Sequence, residues 1–297
     1  MMSTLRELKK RIEIISSTGK ITSAMHMVSV SKFRKEQEIY RNSLPYYKSA
    51  LLMLHNLPGT SKAEDDVPIL WGSPGNVTLL LVITSQRGLC GSFNHNVIKH
   101  TKHHIKDHFS LGKEVKLLCI GRKGYEGLNS EFSHLMLQEA AEYNGIDLYD
   151  PNLVERLVQT LSDLYHEKAF NFCQVVFNSY VSAFEQNTVA EPLVPLRHIP
   201  APKGMEPTQA GIPDFEPNTP IFLQKMIPHV LKAVLFKIIH ESCMGAQAAR
   251  MTAMDNATRN GKEMLKSLNV IYNKTRQANI TRELIEIISG AEALKEK

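Results

Sequence analysis

The sequence predicts a small, largely parallel α/β domain held between two long terminal helices. Three observations carry that expectation: a proline-free amphipathic stretch at the amino end, a longer one at the carboxyl end, and a middle where the apolar pattern becomes that of strands.

From Thr4 to Leu44 there is no proline, and Leu5, Leu8, Ile12 and Ile15 follow the three-four spacing of one helix face. The stripe resumes at Ile21, Met25 and Val28 after a slip of about one position near Ser16 to Gly19, which predicts a gently wound helical pair rather than a tight, regular coiled coil. Pro45 and Pro58 punctuate the segment, placing the first helical region at residues 1–58. In the middle, Val77 to Thr84 (VTLLLVIT), Val115 to Ile120 (VKLLCI) and Cys173 to Val181 (CQVVFNSYV) read as buried strands, with helices near Asn94 to Phe109 and Asn152 to Lys168. The α/β domain is thus expected at 75–200. A proline-rich stretch from Pro192 to Pro220 leads out of it through a linker at 201–218.

Asn218, Thr219 and Pro220 form a cap-then-proline start for the last helix, expected at 219–297, and Pro228 is expected to bend its first turns. Beyond Pro228 it would reach about 100 Å. Ala246, Ala249, Ala253, Ala257 and Gly261 stand among Met251, Met254 and Met264. Small residues admit a neighbouring helix and flexible methionines fill the gaps, so ordinary helix packing explains them better than a cofactor box.

With 297 residues, 43% hydrophobic and 22% charged, the chain can bury a sizeable core. A net charge of +5 suits an acidic partner but falls short of a committed nucleic-acid binder. Cys90, Cys119, Cys173 and Cys243 lie far apart, signal neither a disulfide framework nor a zinc site, and fit a reducing compartment. The amino end passes from Ser3 into the amphipathic stretch Leu5 to Ile15 with Glu7 and Glu13, which speaks against a targeting peptide. No apolar run approaches the ~20 residues that cross a bilayer, so membrane association is expected only through another protein.

Candidate sites are few. Gly19 and Lys20 imitate the heart of a phosphate loop, but Ile14 holds the first glycine's place, Ile21 follows the lysine, and a helix precedes the pair instead of a strand. Arg87-Gly88-Leu89-Cys90-Gly91 follows a strand and precedes a helix, the right context for a ligand loop with the wrong glycine spacing. Gly121, Gly124 and Gly127 likewise lack the paired opening glycines of a dinucleotide site. His100, His103, His104 and His108 crowd one helix among Lys99, Lys102 and Lys106 and read as a solvated polar face, although imidazoles four residues apart can hold a metal. No Ser/His/Asp or Cys/His set announces a catalytic centre.

Two terminal segments sharpen the reading. Tyr272 to Ala291 (YNKTRQANITRELIEIISGA) closely resembles the signature of gamma subunits of rotary, F-type ATP synthases, and Lys20 to Lys35 (KITSAMHMVSVSKFRK) resembles the matching amino-terminal helix of that family. With Arg87 to Gly91 and Ala246 to Met251, the resemblance covers essentially the whole chain in the right order. Ser92 and Phe93 stand where relatives commonly have Gly and Leu, and His26 where an acidic residue is usual. The cysteine-bearing regulatory insertion of chloroplast relatives is absent, so thiol control is not expected.

The resemblance implies a long antiparallel coiled coil of the N- and C-terminal helices with a central Rossmann-like α/β domain. It implies a non-catalytic central-stalk subunit, with no cofactor and no metal of its own, that couples proton or sodium flow to ATP synthesis or hydrolysis by rotation. The partners it implies are three alpha and three beta subunits, the epsilon subunit and the membrane c-ring, with no nucleic acid. The implied location is the cytoplasmic face of a bacterial plasma membrane, peripheral through the complex. By resemblance, Arg276 and Gln277 form a polar catch on a catalytic subunit, Thr281 and Glu283 share in helix-to-ring hydrogen bonding, and Met25 faces them from the other helix; Arg250 and Lys20 are further contact candidates. The tip Ile287, Ile288, Ala291 and Leu294 is expected to turn in an apolar collar. A glycine-loop nucleotide-binding enzyme and a helical-arm RNA-binding protein are the alternatives, and neither accounts for the terminal motifs.

Overall fold

The computed structural model describes residues 5–57, 68–201 and 219–295, with side chains from 222 to 291 in the last stretch. Helix α1 (Leu5–His55) is followed by a short helix α2 (Pro68–Trp71), strand β1 (Val77–Ile83), α3 (Phe93–Ser110) and β2 (Glu114–Ile120). Then come α4 (Arg122–Phe132), α5 (Ala140–Gly145), α6 (Leu153–His166), β3 (Phe172–Tyr180), β4 (Gln186–Val194) and α7 (Thr219–Lys295). The expected linker at 201–218 lies, after residue 201, outside the described residues.

The sheet order is β2-β1-β3-β4, with β1 parallel to both β2 and β3. The central strands read as unbroken apolar runs because both faces are covered. Leu79, Leu81 and Ile83 join one core with α6 and α7, while Leu80 and Val82 join another with Val97 and Ile105 of α3. Val-Thr-Leu-Leu-Leu-Val-Ile therefore needs no polar alternation to be a strand.

The fourth strand was not legible. Gln186–Val194 (QNTVAEPLV) pairs antiparallel with β3, although its polar letters and Pro192 read as an exit from the domain. It closes the sheet on one side, where a proline is tolerated, and Pro192 stands opposite Gln174 beside the register irregularity at Cys173/Gln174. Pro45, by contrast, does not interrupt its helix. Helix α1 continues through it to His55, because Ala50, Leu51 and Leu54 reach the main core and their burial offsets the lost backbone bond. Helix α7 likewise carries Pro228 inside its 77 residues.

Two compact units divide the chain: Ser29–Arg250, and Met1–Val28 together with Met251–Lys297. In the first, α7 is core material. Leu223, Met226, Ile227, Val230, Leu231, Val234, Leu235 and Ile238 are buried at helical spacing against the sheet side.

In the second unit the two helices keep a thinner seam. Leu5, Leu8, Ile12, Ile15, Ser16, Gly19, Thr22, Ser23, Met25 and His26 are its shielded positions on α1, and after Met254 those on α7 are Thr258, Gly261, Leu265, Leu268, Tyr272, Thr275 and Asn279. On α7 these follow a three-four alternation, the period of a coiled coil, and on α1 the same row runs from Leu5 to His26 with Ser16, Ser23 and Met25 widening it. Near Ser16, where the apolar letters slip, the shielded row passes through Ser16, Gly19 and Thr22, which the apolar pattern could not mark. Thr22 Oγ1 and Thr258 Oγ1 are 2.8 Å apart and fix the register. Helices α1 and α7 run antiparallel, since Glu36, further along α1, meets His240, further back on α7. Stepping down α1 and up α7 from the threonine pair sets Gly19 opposite Gly261, Ile15 opposite Leu265 and Ile12 opposite Leu268.

Candidate functional site

The carboxyl ends of β1 and β3 meet where the strand order reverses, the crevice in which an open α/β sheet ordinarily binds a ligand. The loop after β1 carries Arg87 to Gly91 there, with Leu89 at φ 62 and Gly91 at φ 58. Ser85 holds its base, its N–H donating to Asn94 Oδ1 at 2.9 Å and its hydroxyl to the Arg87 carbonyl at 2.7 Å.

Helix α7 fills this crevice from within the Ser29–Arg250 unit. Arg250, 9% exposed, donates to the Arg87 and Gly88 carbonyls at 3.1 and 3.4 Å and to Gln247 Oε1 at 2.9 Å. Ala246 packs on Cys90 and Phe93, and a Cβ on Gly245 would lie 3.3 Å from the Phe93 ring. Asn178 of β3 donates to the Phe93 carbonyl at 2.9 Å. The loop carbonyls thus answer to a guanidinium of the same chain, and Arg250 is a clasp between α7 and the loop.

Gly121, Gly124 and Gly127 are packing glycines. A Cβ at Gly121, which has φ 95, would lie 2.1 Å from the Thr84 carbonyl oxygen, and one at Gly127 would lie 2.6 Å from Ile98 Cδ1. The Gly124 N–H donates to Thr84 Oγ1 at 2.7 Å. They bring α4 down onto β1 and α3.

On α3 the rings of His100 and His104 stand 4.6 Å apart and those of His104 and His108 6.3 Å apart, while His103 faces Asp107 at 3.6 Å. Burial, then the neighbouring imidazoles, hold His100 and His104 below the ordinary histidine value. No group of three or more metal-binding side chains gathers among the described residues.

The contact candidates lie mostly on open helix surface. Lys20, Arg276, Gln277, Thr281 and Glu283 are exposed, Met25 is half-buried, and Thr281 Oγ1 donates to the Gln277 carbonyl at 2.9 Å. The register set by Thr22 and Thr258 puts Met25 level with Asp255, so Met25 does not face Arg276 to Glu283, which begin about 30 Å further along α7. The resemblance grouped residues that the antiparallel register separates. Ile280, Leu284, Ile285, Ile287 and Ile288 are all exposed, from 47% to 68%. Leu294 lies beyond the described side chains.

Sequence reasoning missed two largely buried pairs side by side on α7, Lys237 with Glu241 and His240 with Glu36. A signal existed for Glu36, which falls on the three-four row of shielded positions Ser29, Phe33 and Tyr40 and so puts a charge where an apolar residue is the norm.

Among the described residues no helix is long and apolar enough to cross a membrane. Comparison with known proteins shows what the chain is similar to. The family model described as ATP synthase matches residues 4–294. The ATP synthase gamma chain of Rhodospirillum rubrum is 38% identical over 302 residues, covering 99% of this chain and all of that one. That of Sinorhizobium medicae is 35% identical over 300 residues with the same coverage. Among solved structures, a chain of the Euglena gracilis mitochondrial ATP synthase F1/c-ring assembly matches with a TM-score of 0.67 at 18% identity, covering 98% of this chain and 94% of that one. A chain of the Tetrahymena thermophila ATP synthase central stalk/c-ring matches at 0.52 and 20% identity, covering 80% and 99%. The fold is shared with those chains, and the full-length match to curated relatives shows that this protein belongs to the ATP synthase gamma chain family.

Proposed function

We propose that the chain is the rotor shaft of an F-type ATP synthase, a subunit with no active site of its own, turning inside a ring of three alpha and three beta subunits. The observation that carries this reading is the paired helix seam of Leu5 to His26 with Thr258 to Asn279, whose outer faces differ from one another around the pair. One side of α1 shows Ile14, Ile21 and Val28, α7 at the same levels shows Arg259, Lys262 and Lys266, and further along α7 Arg276, Gln277 and Glu283 are followed by Ile287 and Ile288. A rod without threefold symmetry meets three equivalent catalytic subunits with three different faces. Each contact biases its subunit toward a different nucleotide affinity, and about 1.4 kcal/mol of difference is a tenfold change. Rotation moves each subunit through the three affinities in turn.

In this reading Arg276 and Gln277 catch a catalytic subunit, Thr281 and Glu283 add hydrogen bonds, and Lys20 and Met25 meet the ring at another level of the pair. The epsilon subunit and the c-ring bind elsewhere on the chain. The protein sits at the cytoplasmic face of a bacterial plasma membrane, held there by the complex. The net charge of +5 suits an acidic partner surface.

The test is assembly of the alpha and beta subunits with and without this chain, with a bead attached to the Ser29–Arg250 unit. Chain-dependent ATP hydrolysis with unidirectional rotation of the bead is expected. Hydrolysis of equal rate without the chain, or a bead that stays fixed while ATP is consumed, would overturn the reading.

A further inference from the structure

Apolar contacts are non-directional, so a helix held only by them can turn about its axis by exchanging one neighbour for another. Hydrogen bonds weaken steeply once misaligned, and a buried charge tolerates no loss of its partner. A shaft that carries twist therefore needs directional, buried ties between its helices and the α/β domain, and the Ser29–Arg250 unit holds such a set. Glu241, 3% exposed, accepts through Oε1 from Ser179 Oγ at 2.7 Å and from the Tyr180 N–H at 3.0 Å. Its Oε2 meets the Lys237 ammonium at 2.6 Å as an ion pair. That ammonium lies 5.7 Å from the ring centres of both Tyr47 of α1 and Phe177 of β3. His240 Nδ1 is 2.7 Å from Glu36 Oε2, and Glu36 is 2% exposed.

Within one turn, α7 is thus bonded to the end of β3 and to α1. Burial alone lowers the basicity of Lys237, but Glu241, Glu191 and Tyr47 outweigh it and hold the ammonium above its ordinary value. The charge is kept because the Glu241 carboxylate stands against it and Glu191 adds to the field there.

We propose that Glu241, supported by the Glu36–His240 tie, is the torque pin of this chain: a positioning residue through which twist passes between the paired helices and the α/β domain. This rests on the rotor reading above. Under load, a weakened pin opens locally and part of the twist is lost in that opening.

The experiment uses the complete complex in inverted membrane vesicles, with ATP hydrolysis and ATP-driven ion pumping measured side by side. Glu241→Gln is expected to lower the thermal stability of the complex, leave assembly and hydrolysis at working temperature close to wild type, and cut pumping per ATP about threefold or more. The double variant Glu241→Leu with Lys237→Met removes both charges, so it recovers the thermal stability of the complex yet keeps the low pumping ratio. An unchanged ratio in both variants, or loss of pumping only in proportion to hydrolysis, overturns the proposal. Failure of the rotor reading itself shows differently, as wild-type hydrolysis and pumping in complexes assembled without the chain.

Discussion

Gly19 and Gly261 share one layer of the helix seam, and a Cβ at either would meet nothing within 4 Å. Glycine in a helix interior costs about 0.5–1 kcal/mol relative to alanine, so Gly261→Ala should raise the melting temperature of the purified chain, read by circular dichroism. A drop would mean that the layer is closed. The His100–His104 pair gives a pH dependence whose sign follows from its environment. Both side chains sit below the ordinary value of 6.5, so the unfolded chain takes up these protons first as pH falls. Stability is therefore lost as pH drops from about 6.5 and stops falling below the folded values. His104→Gln should flatten that part of a denaturation-against-pH curve. Arg250 offers a third check, because its guanidinium holds down the loop that carries Cys90, itself 2% exposed. Arg250→Ala should raise the rate at which iodoacetamide labels Cys90, and an unchanged rate would show that Ser85 and Asn94 hold the loop alone.

At the scale of elements, strands buried on both faces announced themselves. Val77–Ile83 and Glu114–Ile120 were legible because an apolar run bounded by turn residues has few other fates. Gln186–Val194 was not, since half-covered at the side of the sheet it keeps polar letters and a proline. The same logic separates the readable part of the site from the rest. The terminal motif containing Arg276 and Gln277 is local and could be recognised, whereas Glu36 and His240 are 204 residues apart and meet only through the register of two helices. Register also undid the grouping of Met25 with Thr281. The exposed run Ile280, Leu284, Ile285, Ile287 and Ile288 makes the end of α7 sticky for an apolar partner. Deleting the residues after Gly290 should weaken binding to the alpha/beta hexamer and change apolar-dye fluorescence, and identical binding and dye signals would remove the collar from the account.

For the whole molecule, the separation of open helix surface from core predicts which changes harm function without harming the fold. Replacing Gln277 and Thr281 together touches only exposed positions and one bond within the helix, so ATP turnover should fall further than recovery of assembled complex. Equal losses would point to a structural role. The course of synthesis follows from the double use of α7. Leu51 and Leu54 near the start of the chain and Leu231, Val234, Leu235 and Ile238 near its end belong to one core. The ribosome must therefore add the intervening residues, taking about 10–40 s, before Leu79, Leu81 and Val175 lose their contact with water. Until then the nascent strands stand uncovered and open to aggregation, and premature termination before α7 leaves a product fit only for chaperones and proteases.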